Sequence, residues 1–176
     1  MVFREAVQSD AAAIGNLHAR SWQLHYRGSF SDAYLDGPVL EDRRQEWTRR
    51  LSEPSSNQYC LVAESEGRII GLMCLYEQAD PVYGSLIDNL HVAPEYQRAG
   101  VGQQLMELAR KRLNDRHPGL PYYLWVLAAN ERAIRFYERI GGQRMEETWL
   151  TNRDGSTAFC YRYGWQIMVD HASFSD

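Results

Sequence analysis

Apolar and polar positions alternate along this chain with two periods, and each change of period marks a new element. "VFREAV" (Val2 to Val7) reads as a strand, and Ser9 and Asp10 after it are good helix caps. From Asp10 to Arg27 the apolar residues Ile14, Leu17 and Leu24 recur at helical spacing, with Gly28 as a stop. A second helix is predicted over Pro38 to Leu51, anchored by Trp47, and "EPSSN" follows as a loop. "YCLVAES" and "RIIGLMCLY", joined by "EGR", carry a hairpin signature, and "SLIDNLHV" is a further strand. Val101 to Leu113 presents Leu105, Leu108, Ala109 and Leu113 on one helical face. "PYYLWVLA" reads as a strand, and Asn130 to Ile140 as a helix closed by Gly141-Gly142. The last predicted element is a hairpin, "RMEETWLTNRDGSTAFCYRYGW", turning at Asp154-Gly155. The order β-α-α-β-β-β-α-β-α-β-β predicts an α/β (α+β) chain with a mixed sheet. One domain is expected over residues 1–168, with 169–176 as a fraying tail.

Composition narrows the partners. The 176 residues are 44% apolar and 24% charged, with a net charge of −4, so nucleic acid is not an expected partner. No apolar run is long enough for a bilayer, and "MVFREAVQSD" lacks the features of a signal peptide. Cys60, Cys74 and Cys160 are odd in number and widely spaced, which fits a reducing cytoplasm better than a disulfide framework. No Cys/His cluster has metal-ligand spacing, so no metal is expected.

One stretch changes the picture. "VAPEYQRAGVG" (Val92 to Gly102) leaves a strand, turns at a proline and sets Gly100 and Gly102 at the start of a helix. The first N–H groups of a helix lack intrahelical partners and carry partial positive charge, so they hold phosphates well. Glycines there remove the Cβ atoms that would keep a phosphate off the backbone, and Arg98 adds a positive charge. A dinucleotide fingerprint fails at Leu105 and a P-loop fails at Gln103. The glycines alone leave a ligand-free helix start equally open.

The segment Gln97-Arg98-Ala99-Gly100-Val101-Gly102 resembles the Gln/Arg-x-x-Gly-x-Gly/Ala signature of the GCN5-related N-acetyltransferases, the GNAT superfamily. "LHVAPEY" before it is similar to that family's strand end, and "NERAIRFYERIGG" to its second signature. The resemblance covers residues 2 to 163 in element order and implies about seven strands, the fourth and fifth splayed, with about four flanking helices. It implies acetyl-coenzyme A as acyl donor, its pyrophosphate on the main chain of Gln97, Arg98, Ala99, Gly100, Val101 and Gly102. The main chain of Leu90, His91 and Val92 would face the pantetheine arm and thioester. Asn130 would bond that arm, and Tyr137 would approach the sulfur and protonate the leaving thiolate. Many relatives place a glutamate where this chain has Leu86. Asp88, two residues on, is the candidate base and shares a strand face with Leu86 if no bulge intervenes, His91 then facing the opposite way. A water relay, or an amine that binds neutral, is the alternative.

For the acceptor side, Trp22, Tyr26 and Arg27 in "HARSWQLHYRG" are the candidate substrate contacts. His18 and His25 are expected to be solvated, as is the helix face carrying Arg43, Arg44, Arg49 and Arg50 among acids. The cysteines are expected in the core. The function expected is N-acetyl transfer to a primary amine by direct attack in a ternary complex. A non-catalytic acyl-coenzyme A sensor and a different acyl donor stay open, and the C-terminal hairpin is a candidate homodimer surface.

Overall fold

A computed structural model of the chain describes residues 1–166, so the tail expected at 169–176 lies outside the described residues. Seven strands form one mixed sheet in the order β1-β2-β3-β4-β5-β7-β6. The strands are β1 (Val2–Glu5), β2 (Gln58–Ser65), β3 (Arg68–Asp80), β4 (Gly84–Val92), β5 (Tyr122–Leu127), β6 (Gln143–Thr151) and β7 (Thr157–Trp165). The helices are α1 (Ala11–His25), α2 (Asp32–Asp36), α3 (Val39–Ser52), α4 (Val101–Arg116) and α5 (Glu131–Arg139). Only α2 was not predicted. It is five residues long, too short to show a periodicity, and is started by Ser31, whose hydroxyl accepts from the Tyr34 N–H.

β4 and β5 run parallel and pair only at Ser85 with Tyr122 and Leu86 with Tyr123. Beyond that point β4 continues to Val92 and β5 to Leu127 without pairing, the splay implied by the resemblance. Each strand is held on its other side. β3 pairs with β4 as far as Val92, and β7 pairs with β5 along its whole length. A bulge sits where the strands part: Cys74 lies opposite Asn89 and Leu75 opposite Ile87, leaving Asp88 unpaired. Bulges bend and over-twist a strand, which turns β4 away from β5.

α1 and α3 pack together on one side of the sheet, and α4 and α5 lie on the other. α4 buries Leu105, Ala109 and Leu113 as its pattern predicts, and Trp47 is fully buried in α3. The stripe expected on α1 needs correcting. Ile14 and Leu17 are buried, but Leu24 is 53% exposed, and the inward line continues through His18 instead. The three cysteines are free and buried, as expected. β6 is an edge strand, with Trp149 exposed on it.

Candidate active site

The loop before α4 is shaped for an anion. Arg98 and Gly100 both have positive φ, 69° and 81°, so the chain coils tightly ahead of the helix. Left-handed backbone costs an L-residue roughly 1–2 kcal/mol, and glycine avoids that cost at position 100. No side chain caps the helix and a Cβ at Gly100 would meet nothing within 4 Å, while the Gln97 and Ala99 N–H groups already donate to the Pro94 and Tyr96 carbonyls. Gly102 has a different role from the one expected. A Cβ there would touch Phe136 and Val92 at 3.6 and 3.7 Å, ordinary contact distances, so it points toward α5 and not toward a phosphate. The Gln97 side chain donates to the Val92 carbonyl at 3.1 Å and ties the loop back onto β4.

Leu90, His91 and Val92 pair with Met73, Leu72 and Gly71 on one edge of β4. Their other edge opens into the gap, where an extended amide-bearing arm could add as a strand would. The uncapped helix start at the end of that edge could take an anionic group of the same ligand. Asn130 caps α5 by accepting from the Ala133 N–H at 3.2 Å, so only its NH2 group remains to offer a ligand. Tyr137 lies in α5, buried against Phe136, Tyr163 and Trp165. Burial raises its phenol far above the ordinary tyrosine range, and the Tyr26 phenol adds to the rise.

The other wall is made by α1, α3 and the tip of the β6–β7 hairpin. Trp22 stacks with Tyr26 and Phe30 at 5.4 and 4.7 Å, and Tyr34 stacks on Phe30 at 5.7 Å. Tyr26 also packs against the cluster of Leu127, Ala158 and Cys160, and burial pushes its phenol up to about 12. Arg27 turns away, its guanidinium held by Asp32 and Asp36 of α2, so it does not join Trp22 and Tyr26. The hairpin tip grips the turn after α1: the Asp154 carboxylate accepts from the Ser31 N–H at 2.7 Å, and the Asn152 amide donates to the Ser29 carbonyl.

Two expectations of solvated residues fail here. His18 is 1% exposed; the Trp47 indole N–H donates to its Nδ1 at 2.9 Å, and its ring lies 4.4 Å from that of His91. Burial, then His91 and Arg43, hold His18 well below the ordinary histidine range, and burial brings His91 down to about 3. Both rings are therefore neutral. On α3, Arg43 and Glu46 are buried rather than solvated. Burial pushes the Glu46 carboxyl up, but hydrogen bonds from Arg50 and Arg49 outweigh it and bring it to about 2. Arg153, from the hairpin tip, also reaches Glu46 at 3.2 Å. No spacing rule separates such a face from a solvated one, because only the facing sheet and hairpin bury it.

Asp88 belongs to this network. Arg50 donates to its carboxylate at 2.6 Å and to the Asn89 side-chain amide oxygen at 3.0 Å. The bulge turns Asp88 and Asn89 to the same side, toward α3. His91 faces that side as well, 2.9 Å from the Ser21 hydroxyl, contrary to the opposite orientation expected without a bulge.

The family model described as the acetyltransferase (GNAT) family matches residues 17–142. The chain belongs to that family. The mycothiol acetyltransferase of Actinosynnema mirum is 31% identical over 105 residues, which are 60% of this chain and 34% of that one. The chain thus spans about a third of that relative's length. Among solved structures, the PaiA N-acetyltransferase of Thermoplasma acidophilum in complex with coenzyme A superposes with a TM-score of 0.73 at 21% identity. That match covers 93% of this chain and 98% of the other. The yncA putative acetyltransferase of Salmonella typhimurium with acetyl-CoA gives 0.65 at 17% identity over 99% and 98%. At such identities the likeness establishes the GNAT fold alone. Among the described residues no helix is long and apolar enough to cross a membrane, and no group of three or more His, Cys, Asp or Glu has the arrangement of a metal site.

Proposed function

We propose that the chain transfers an acetyl group from acetyl-coenzyme A to a primary amine by direct attack in a ternary complex. The observation that carries this reading is the gap itself. An unpaired β4 edge runs from the parting of the strands to an uncapped helix N-terminus. When bound, the coenzyme supplies an activated thioester. The main chain of Leu90, His91 and Val92 orients the arm and polarises the carbonyl, and the amides of Arg98, Gly100, Val101 and Gly102 hold the pyrophosphate. Asn130 offers its NH2 group to the arm.

Tyr137 remains protonated throughout the neutral range and donates to the leaving thiolate. The water-poor gap that raises the phenol also raises the proton affinity of a thiolate, so donor and acceptor stay matched. Asp88, held by Arg50, is the group proposed to receive the amine's proton, directly or through one water. Trp22 and Tyr26 wall the acceptor pocket. Among the described residues no side chain is arranged as an activated nucleophile, so the reading has no covalent acetyl-enzyme. The free, buried cysteines agree with work in a reducing cytoplasm.

Initial rates with both substrates varied test this reading. Intersecting double-reciprocal lines are expected, and parallel lines would contradict direct attack. Tight coenzyme binding without thiol release for any amine would favour a non-catalytic sensor. A preference for another acyl-coenzyme A would change the donor and leave the rest intact.

A further inference from the structure

Among the described residues, the buried side-chain nitrogens and oxygens without a hydrogen-bond partner are His18 Nε2, Arg43 Nε, and Arg162 Nε and Nη1. All are donors. His18 is neutral and accepts at Nδ1 from Trp47, so its proton is on Nε2. An unpaired buried donor costs about 1–3 kcal/mol, so several of one kind on one wall point to a ligand rich in lone pairs.

All three side chains lie on the acceptor side of the sheet. His18 and Arg43 come from α1 and α3. Arg162 sits in register with Trp125, on the β5–β7 face that Cys160 shares and Tyr26 covers. Its guanidinium lies 3.5 Å from the Tyr83 ring centre, 4.5 Å from Trp125 and 4.9 Å from Tyr123. Tyr123 is the last β5 residue paired with β4 before the gap, and its phenol lies in the fields of both Arg162 and Asp88. Arg162 thus stands 4.9 Å from the ring of the residue at which β5 parts from β4. Arg162 is also partly offset: Glu146 lies 3.3 Å from its Nη2 and is itself held by the Tyr83 hydroxyl at 2.8 Å. Glu146 takes Nη2, so Nε and Nη1 are the donors left for a ligand.

We infer that Arg162 is a specificity-determining residue that binds a carboxylate on the acceptor, so that the acceptor is an amino acid or a short peptide. This rests on the amine-transfer reading above. The aromatic rings hold the guanidinium in one plane and keep water from it, which strengthens a charged hydrogen bond made there. Asp88 faces the amine end and Arg162 the carboxylate end.

The test compares α-amino acids, ω-amino acids and dipeptides with their own C-terminal carboxamides, by thiol release from acetyl-coenzyme A. The carboxamides carry the less basic amine, more of it neutral at pH 7, so chemistry alone favours them. The wild type is expected to show at least a tenfold higher kcat/KM for the acid of a preferred pair, mostly through KM. In Arg162→Gln the ratio should collapse to within about threefold, with partial return in Arg162→Lys. Unchanged acetyl-coenzyme A affinity in both variants would show that they remain folded. Carboxamides used as well as acids by the wild type, or a preference that survives Arg162→Gln, would overturn the assignment. Thiol release that no amine accelerates would overturn the amine-transfer reading, and this inference with it.

Discussion

On the α4 side of the gap the groups left open are main-chain, at an uncapped helix start, a left-handed glycine and an unpaired strand edge. On the α1–α3 side they are side-chain, made by stacked aromatics and by arginines and acids buried against one another. The first kind of site tolerates almost any residue that permits the backbone shape. The second depends on every partner, because a buried charge left alone is costly. One wall can therefore hold a common coenzyme while the other is altered to suit an acceptor.

The largest expected effect lies on the side-chain wall. Arg50→Met leaves Glu46 to Arg49 and Arg153 and removes the bridge to Asp88, and should destabilise the fold by about 3 kcal/mol in chemical denaturation. The same network gives a pH signature. Glu46 has its folded-state pKa lowered to about 2, below an ordinary carboxylate near ~4.3, so its contribution is complete above about pH 5. That contribution is lost as the pH falls toward 2, and Glu46→Gln should flatten this part of the stability profile.

Tyr137→Phe keeps the packing against Tyr163 and Trp165 but removes the donor. It should lower kcat roughly 100-fold, with coenzyme affinity changed by less than about threefold. Wild-type turnover in this variant would reduce Tyr137 to a packing residue. Gly100→Val puts a β-branched residue at φ 81° and should weaken acetyl-coenzyme A binding about tenfold or more by calorimetry. Gly102→Ala is the smallest change. With only ordinary contacts to Phe136 and Val92, it should move that affinity less than about threefold. Equal effects at the two glycines would remove the distinction drawn between them.

The main-chain wall was legible in the sequence because its requirements are local. A strand, a proline turn and glycines at a helix start are written within eleven consecutive residues, Val92 to Gly102. The order of the strands and the four longer helices followed from periodicity for the same reason. The side-chain wall was not legible. His18 is buried by His91 and Trp47, and Glu46 by the hairpin tip that carries Arg153, contacts that join distant parts of the chain. The bulge at Asp88 is equally silent, since an extra residue in a strand leaves the apolar alternation nearly intact. Arg162 gave no signal either. It sits in "YRYGW", an ordinary strand pattern, and becomes unusual only when Tyr83, Tyr123 and Trp125 close around it.

The most direct test of the central claim is thiol release from acetyl-coenzyme A by the saturated protein, with and without an amine. Release that depends on the amine, with one acetylated amine formed per thiol, is the result predicted for attack across the gap. Release at the same rate without any amine would make the protein a thioesterase and contradict the account.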